Sequence, residues 1–247
     1  MGIAEAMGID IGGSGIKGAP VDVVAGRLTE RRVRITTPDP STPSNVAEAV
    51  ARLVADHDWR GPVGITVPGV VLNGVVATAA NIDDGWIGFD AREHFTRALG
   101  LPVSVINDAD AAGLAEARFD GDPSGVVILL TFGTGIGSAL LHDGKLVPNT
   151  ELGHLEFHGD KAETYAAARL VKRESMQIEW WAERVNEFLA YIELLFSPDR
   201  IIMGGGISKR FDEFAPLLST RCTLEPARLR NNAGIVGAAL FAMEETA

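Results

Sequence analysis

Two short glycine-rich segments, one in each half of the chain, constrain its fold more than any other feature. The first is Asp10-Ile11-Gly12-Gly13-Ser14-Gly15-Ile16-Lys17, and the second is Thr131-Phe132-Gly133-Thr134-Gly135-Ile136-Gly137. Residues 7–10 read as a strand and 16–23 as its return; 126–131 read as a strand, with a second running through Leu141. Glycines between two such runs predict a turn, because glycine tolerates positive φ and lets another backbone come close. Laid over each other without a gap, the segments match as strand, polar residue, glycine turn and strand. A repeat of this kind predicts two related βα halves, each offering a hairpin to a common cleft.

Helices and strands alternate through the rest of the first half. A third strand is expected over 31–36, a loop over 38–43 and a helix over 45–56, whose Val46, Ala49, Val50, Leu53 and Val54 share one face. A buried strand over 63–67 ends at Pro68-Gly69, and a hairpin over 71–76 turns at Asn73-Gly74. A helix over 89–99, a strand over 103–106 and a helix over 108–117 follow. The second half reads as helices over 162–173 and 176–196, a strand over 200–203 running into Gly204-Gly205-Gly206, a short helix over 212–218 and an apolar helix over 234–243. The 176–196 helix carries the stripe Trp181, Val185, Phe188, Leu189, Ile192, Leu195 and Phe196, and Ser197-Pro198 ends it. The class expected is α/β in two lobes: 1–108, with 232–247 packing back on it, and 109–231.

Composition narrows the function. The chain has 247 residues, 46% of them apolar, enough to bury a sizeable core. No stretch reaches the ~20 apolar residues of a membrane helix. Residues 1–6 lack a signal pattern, and Ala6 stands where myristoylation at Gly2 expects Ser or Thr. Cys222 is the single cysteine, so no internal disulfide or thiolate zinc site is expected, and the cytoplasm is the expected compartment. The formal net charge of −11 repels nucleic acid. A polyanionic substrate would need a local basic patch or backbone amides.

The amides of Gly12, Gly13 and Ser14 can cradle phosphate oxygens, and Asp10 at the strand end can orient a Mg²⁺ ion or its waters. The loop lacks the Gly-Lys-Ser/Thr ending of a Walker sequence, and a strand rather than a helix follows it. Thr131, Gly133, Thr134 and Gly135 form the second such loop. Phosphoryl transfer needs positioning and charge neutralisation, which two facing hairpins supply. Gly204, Gly205 and Gly206 give a third close approach, or else a strand-to-helix turn that needs small residues. Asn107-Asp108 sits where a strand ends and a helix begins; Asp108 suits the role of base toward an alcohol, or that of a helix cap. Glu151-Leu152-Gly153-His154, with Glu156 and Glu163, offers hydrogen-bonding groups for vicinal hydroxyls, or a His-carboxylate metal site. Trp181 belongs to a core stripe, whereas Trp86 is expected near the cleft.

In this order, the loop Asp10 to Lys17, Pro68-Gly69, Asn81 with Trp86, Asn107-Asp108, the loop Thr131 to Gly137, Glu151 to His154 and Gly204 to Gly206 resemble the ROK family of sugar kinases and repressors over essentially the whole chain. The resemblance implies an actin-like duplicated fold. It makes Asp108 the base on a sugar 6-hydroxyl and makes Gly69, Asn81, Asn107, Asp108, Glu151, His154 and Glu163 sugar-binding. Many family members carry a cysteine-rich zinc motif where this chain has the short, cysteine-free run 157–162, so no structural zinc is expected. Glu163 is aligned across that deletion.

Residues 37–43, 195–199 and 231–235 are similar to those of the polyphosphate glucokinases within the family, some of which also take mannose. The implied donors are inorganic polyphosphate and ATP with Mg²⁺, the implied acceptors glucose or mannose, and the implied assembly a homodimer, with the 176–196 helix a candidate interface. Arg169, Lys172 and Arg173 on one helix face, or Lys209 and Arg210 after the third glycine loop, offer a polyanion track or an ordinary solvated face.

An ATP-only glucokinase or fructokinase is the nearest alternative. A sugar-sensing repressor would need a DNA-binding segment ahead of Asp10 and a different charge. A dinucleotide oxidoreductase would place a helix after the first loop.

Overall fold

The first glycine segment closes a hairpin between β1 (Glu5–Gly12) and β2 (Gly15–Asp22) in the computed structural model, which describes residues 4–119 and 122–246. The chain divides into two units, Met1–Ala115 with Asn231–Ala247, and Glu116–Arg230. The division falls inside a helix rather than at its start at Asp108, because the first turns of that helix pack with the first unit.

In the first unit, β3 (Arg27–Leu28), β4 (Val33–Ile35), α1 (Pro43–Asp56), β5 (Val63–Val67), β6 (Val71–Leu72), β7 (Val75–Val76), α2 (Ala91–Leu99), β8 (Val103–Asn107) and α3 (Asp108–Phe119) follow the hairpin. The sheet order is β3-β2-β1-β5-β8, with β4 also on β2; β5 is parallel to both β1 and β8. Thr42 caps α1 by accepting the Asn45 N–H, and Pro43 costs nothing where that helix has no donor to lose. The α1 face expected from its spacing is buried against Ile9, Ile11, Ile65 and Phe95. Trp86 corrects its expectation: it is wholly buried in this core, and its indole N–H donates to the Ser41 carbonyl at 2.8 Å. An indole that finds one acceptor can bury its full apolar body.

The C-terminal helix, Ala233–Thr246, belongs to this unit. Gly8 and Gly64 are register partners on β1 and β5, and a Cβ on either would overlap a carbonyl oxygen of this helix, at Ile235 and Ala238. Gly237 returns the relation against Ala111 of α3. The absence of side chains lets the helix backbone lie directly on the sheet.

The second unit holds β9 (Val126–Phe132), β10 (Ile136–His142), β11 (Lys145–Val147), β12 (Glu156–Phe157), β13 (Asp160–Lys161), α4 (Ala162–Ala166), α5 (Arg169–Arg173), α6 (Ile178–Phe196), β14 (Arg200–Gly204), α7 (Phe211–Phe214) and β15 (Thr223–Pro226). Its sheet runs β11-β10-β9-β14-β15, with an antiparallel hairpin followed by parallel strands, as in the first unit. The hairpins themselves differ by one residue. Ile11 pairs Ile16 with four residues between, whereas Phe132 pairs Ile136 with three, so the ungapped overlay fails after the turn.

The helix expected over 162–173 is two, broken by extended backbone at Ala167, and that over 212–218 ends in a 3₁₀ turn at Ala215–Leu217. On α6 the buried stripe stops at Ile192: Leu195 is 48% exposed, and buried Glu193 stands beside that stripe.

Candidate active site

Asp10 lies near the end of β1, in register with Lys17 on β2 and Thr66 on β5. Lys17 Nζ donates to one carboxylate oxygen at 2.9 Å, and Thr66 Oγ1 to the other at 3.1 Å. Lys17 is itself in register with Arg34 on β4, so Arg34, Lys17, Asp10 and Thr66 form a polar row on one face of the sheet. Thr66 escaped sequence reading, although a polar residue inside an otherwise apolar run was its signal.

Gly13 and Ser14 stand exposed at the turn. Of the two reasons expected for turn glycines, positive φ and close approach, the first does not apply: none of Gly12, Gly13, Gly15, Gly133 and Gly135 adopts positive φ. Close approach accounts for Gly13, Gly15 and Gly135, whereas Gly133 has open space around it. A Cβ on Gly13 would stand 2.6 Å from the Asn81 carbonyl oxygen, and one on Gly15 2.7 Å from Arg34 Nε. Asn81, itself left-handed at φ 61°, is thus held against the turn.

Asn107 is buried at the end of β8. Its Oδ1 accepts the N–H groups of Ala109 (2.8 Å) and Asp110 (3.0 Å), and its Nδ2 donates to the Gly69 carbonyl at 3.0 Å. The side chain therefore caps α3 and fixes the Gly69 loop. Asp108 opens α3, half-buried, with Oδ1 accepting the Ala109 N–H at 2.9 Å. Gly69, Asn107 and Asp108 form one hydrogen-bonded group.

In the second unit, His154 stands between two carboxylates, its Nδ1 3.8 Å from Glu151 and its Nε2 3.8 Å from Glu163. Ser138 on β10 donates to the Thr150 carbonyl and accepts the Leu152 N–H at 2.9 Å, which places the Glu151 to His154 turn. Glu163 comes from the first turn of α4, and its Oε2 accepts the Ile136 N–H at 3.3 Å, directly after the second glycine loop. The residue aligned across the deletion is thereby joined to His154 and to Gly135. Burial pushes the Glu151 carboxyl above its ordinary pKa; His154 opposes the rise and Glu163 adds to it. Glu156 lies apart on β12, exposed. Among the described residues no group of three or more His, Cys, Asp or Glu is arranged to hold a metal ion.

Thr131 and Gly204 are register partners on β9 and β14. The Gly133 N–H donates to the Gly135 carbonyl at 3.0 Å. Arg169 holds the loop from outside: its backbone N–H donates to the Gly133 carbonyl at 2.9 Å, and its guanidinium to that of Thr134. Gly205 is left-handed at φ 82°, and a Cβ there would overlap the Phe132 carbonyl oxygen, whereas Gly206 has open space around it. Packing explains the first of these; room for a ligand is left at the second. Arg210 is ion-paired to Glu213 at 2.8 Å, and Lys172, Arg173 and Lys209 are exposed.

The model of the ROK family matches residues 6–169. The polyphosphate glucokinase of Mycobacterium tuberculosis (strain ATCC 25618 / H37Rv) is 50% identical over 242 residues, covering 97% of this chain and 91% of its own. The glucokinase of Streptomyces coelicolor is 29% identical, covering 96% and 97%. Among solved structures, the inorganic polyphosphate/ATP-glucomannokinase from Arthrobacter sp. strain KM matches with TM-score 0.92 at 50% identity, over 98% of this chain and 99% of that one. A ROK family glucokinase from Streptomyces griseus, in complex with glucose and AMPPNP, matches with TM-score 0.83 at 25% identity, over 98% and 100%. The fold in common is the actin-like one, two mixed sheets of the same strand order. Among the described residues, no helix is long and apolar enough to cross a membrane.

Proposed function

This chain belongs to the ROK family, and from that premise we propose that it transfers a phosphoryl group from inorganic polyphosphate or ATP to the 6-hydroxyl of glucose, and of mannose as a second acceptor. The observation that carries the reading is the 50% identity to a polyphosphate glucokinase, spread over 97% of the chain.

Asp108, anchored by the Ala109 N–H, accepts the proton of the 6-hydroxyl as that oxygen attacks the terminal phosphorus of the donor. The bond from that phosphorus to the next bridging oxygen breaks, leaving a polyphosphate shorter by one unit, or ADP. Asn107 keeps Asp108 and the Gly69 loop in place, and Asn81 stands beside the first phosphate turn. Glu151, His154 and Glu163 bind sugar hydroxyls: carboxylates accept, and the imidazole between them donates or accepts according to tautomer.

The amides around Gly12 to Ser14 and Gly133 to Gly135 bind donor phosphates, with Gly204 to Gly206 beside the second loop. Asp10, a half-buried carboxylate at the end of β1 whose oxygens accept from Lys17 and Thr66 and keep lone pairs free, would orient Mg²⁺ or its waters, and the ion would neutralise charge on the transferring group. The exposed apolar edge of α6, with Trp180 (58%) and Leu194 (74%), suits a second copy of the chain, and a homodimer completes the reading.

The test is hexose 6-phosphate formation from glucose, with and without Mg²⁺, supplied either with long-chain polyphosphate free of ATP or with ATP alone. Turnover with both donors is expected. Turnover with ATP alone would remove the polyphosphate assignment, and turnover with neither would remove the kinase reading.

A further inference from the structure

Arg31, Arg32 and Arg34 fall within four residues of a chain whose net charge is −11, and among the described residues no carboxylate is paired with any of them. Lys17, in register with Arg34, is already matched by Asp10. The cluster therefore leaves a local excess of positive charge beside the first glycine turn, where the protein's global field is unfavourable to an anion.

Two of the three side chains are fixed in place. The Arg34 guanidinium donates to the Ser14 carbonyl at 3.1 Å, at the turn itself. The Arg32 guanidinium donates to the Asn231 carbonyl at 3.2 Å and to Asn232 Oδ1 at 2.9 Å, just ahead of the C-terminal helix. Arg34 lies on β4 and Arg32 immediately precedes that strand, so about 7 Å of chain separates the two residues. Each guanidinium has five N–H donors and spends one or two of them on these bonds, and both residues are exposed.

We infer that Arg34 and Arg32 bind successive non-transferred phosphates of a linear polyphosphate, the chain leaving the glycine turn along β4. Planar guanidinium groups suit phosphate oxygens, and a stripe of such groups continuing past the turn is useful only to a donor that is still phosphate there. A nucleoside triphosphate ends in a sugar and base after its third phosphate. This stripe therefore sets the preference between the two donors. The inference rests on the polyphosphate reading above. It favours β4 over the two basic groups visible in the sequence: Arg210 is ion-paired to Glu213, and in the group of Arg169, Lys172 and Arg173 the first is already bonded to the Gly133 and Thr134 carbonyls of the second glycine loop while the other two stand exposed.

The full-length protein is assayed with ATP-free long-chain polyphosphate and with ATP, as wild type, as the double variant Arg32→Gln, Arg34→Gln, and as Lys172→Gln, Arg173→Gln. The ratio of kcat/KM for polyphosphate to kcat/KM for ATP should fall about tenfold or more in the β4 variant, equivalent to ~1.4 kcal/mol of donor discrimination. Its polyphosphate KM should also lose salt dependence. Arg34→Lys, which keeps the charge and changes the hold on Ser14, should recover most of the ratio.

Equal losses with both donors would overturn the inference by reducing Arg34 to a support of the turn. A ratio that falls only in the Lys172, Arg173 variant would overturn it in favour of α5. A wild type that ignores polyphosphate would fail the donor reading itself, before any variant is compared.

Discussion

Glu163 and Gly135 share one boundary: the carboxylate accepts the N–H of the residue after Gly135, and a side chain on Gly135 would overlap Oε2. A residue that binds sugar in the proposed mechanism is thereby held by the loop proposed to bind the phosphate donor. Gly135→Ala should push the Glu163 side chain aside while the fold survives, because the obstructing atom ends a flexible chain. The expected result is a glucose KM raised about tenfold or more with stability changed by less than about 1 kcal/mol. Steady-state kinetics and thermal unfolding of the same sample check it. An unaltered KM would separate Glu163 from sugar binding.

Asp108 is the only carboxylate proposed to take the hydroxyl proton. Asp108→Asn should lower kcat by about 10²–10⁴-fold and leave the glucose dissociation constant within a few-fold, measured calorimetrically without donor. Near-normal turnover would refute its role as base.

Gly64 carries a different kind of constraint. Its missing Cβ is where the Ala238 carbonyl lies, and backbone on both sides cannot yield as a side chain can. Gly64→Ala should destabilise the protein by about 3 kcal/mol, read from denaturant unfolding. An alanine tolerated within 0.5 kcal/mol would mean that the C-terminal helix does not seat on the sheet as described.

Glu193 predicts a pH dependence. Burial would raise its pKa, but the backbone N–H groups of Cys222 (2.9 Å) and Arg221 (2.6 Å) outweigh burial and hold it below the ordinary value. A depressed folded pKa contributes stability above the unfolded pKa, and that contribution is lost as pH falls through the folded value. Glu193→Gln should therefore be less stable than wild type by about 1–2 kcal/mol at pH 7, with the gap closing below about pH 4. A gap independent of pH would show that packing rather than charge is responsible. Burial and the Glu193 carboxylate together push the neighbouring Cys222 thiol up to about 11, so it stays protonated through this range.

Much of this protein was legible in the order of its residues. The two glycine hairpins, the strands behind them and Asp108 at a strand end follow from short apolar runs and glycine punctuation, which are local signals. The reason for the glycines was not legible: a turn glycine that serves φ looks the same as one that serves a neighbour, and here the neighbours are Asn81, Arg34 and Glu163, far away in sequence. Trp86 was misplaced for the same cause, since its acceptor on Ser41 lies in another loop. The short strands β11, β12, β13 and β15 carry too few residues to show a period, and they exist because a sheet edge or hairpin partner is available. Local pattern thus determined which elements form and in what order. Tertiary structure alone decided that Glu163 meets His154, that Asn107 holds the Gly69 loop, and that Arg34 sits at the glycine turn, because each depends on a distance between residues that the sequence keeps apart.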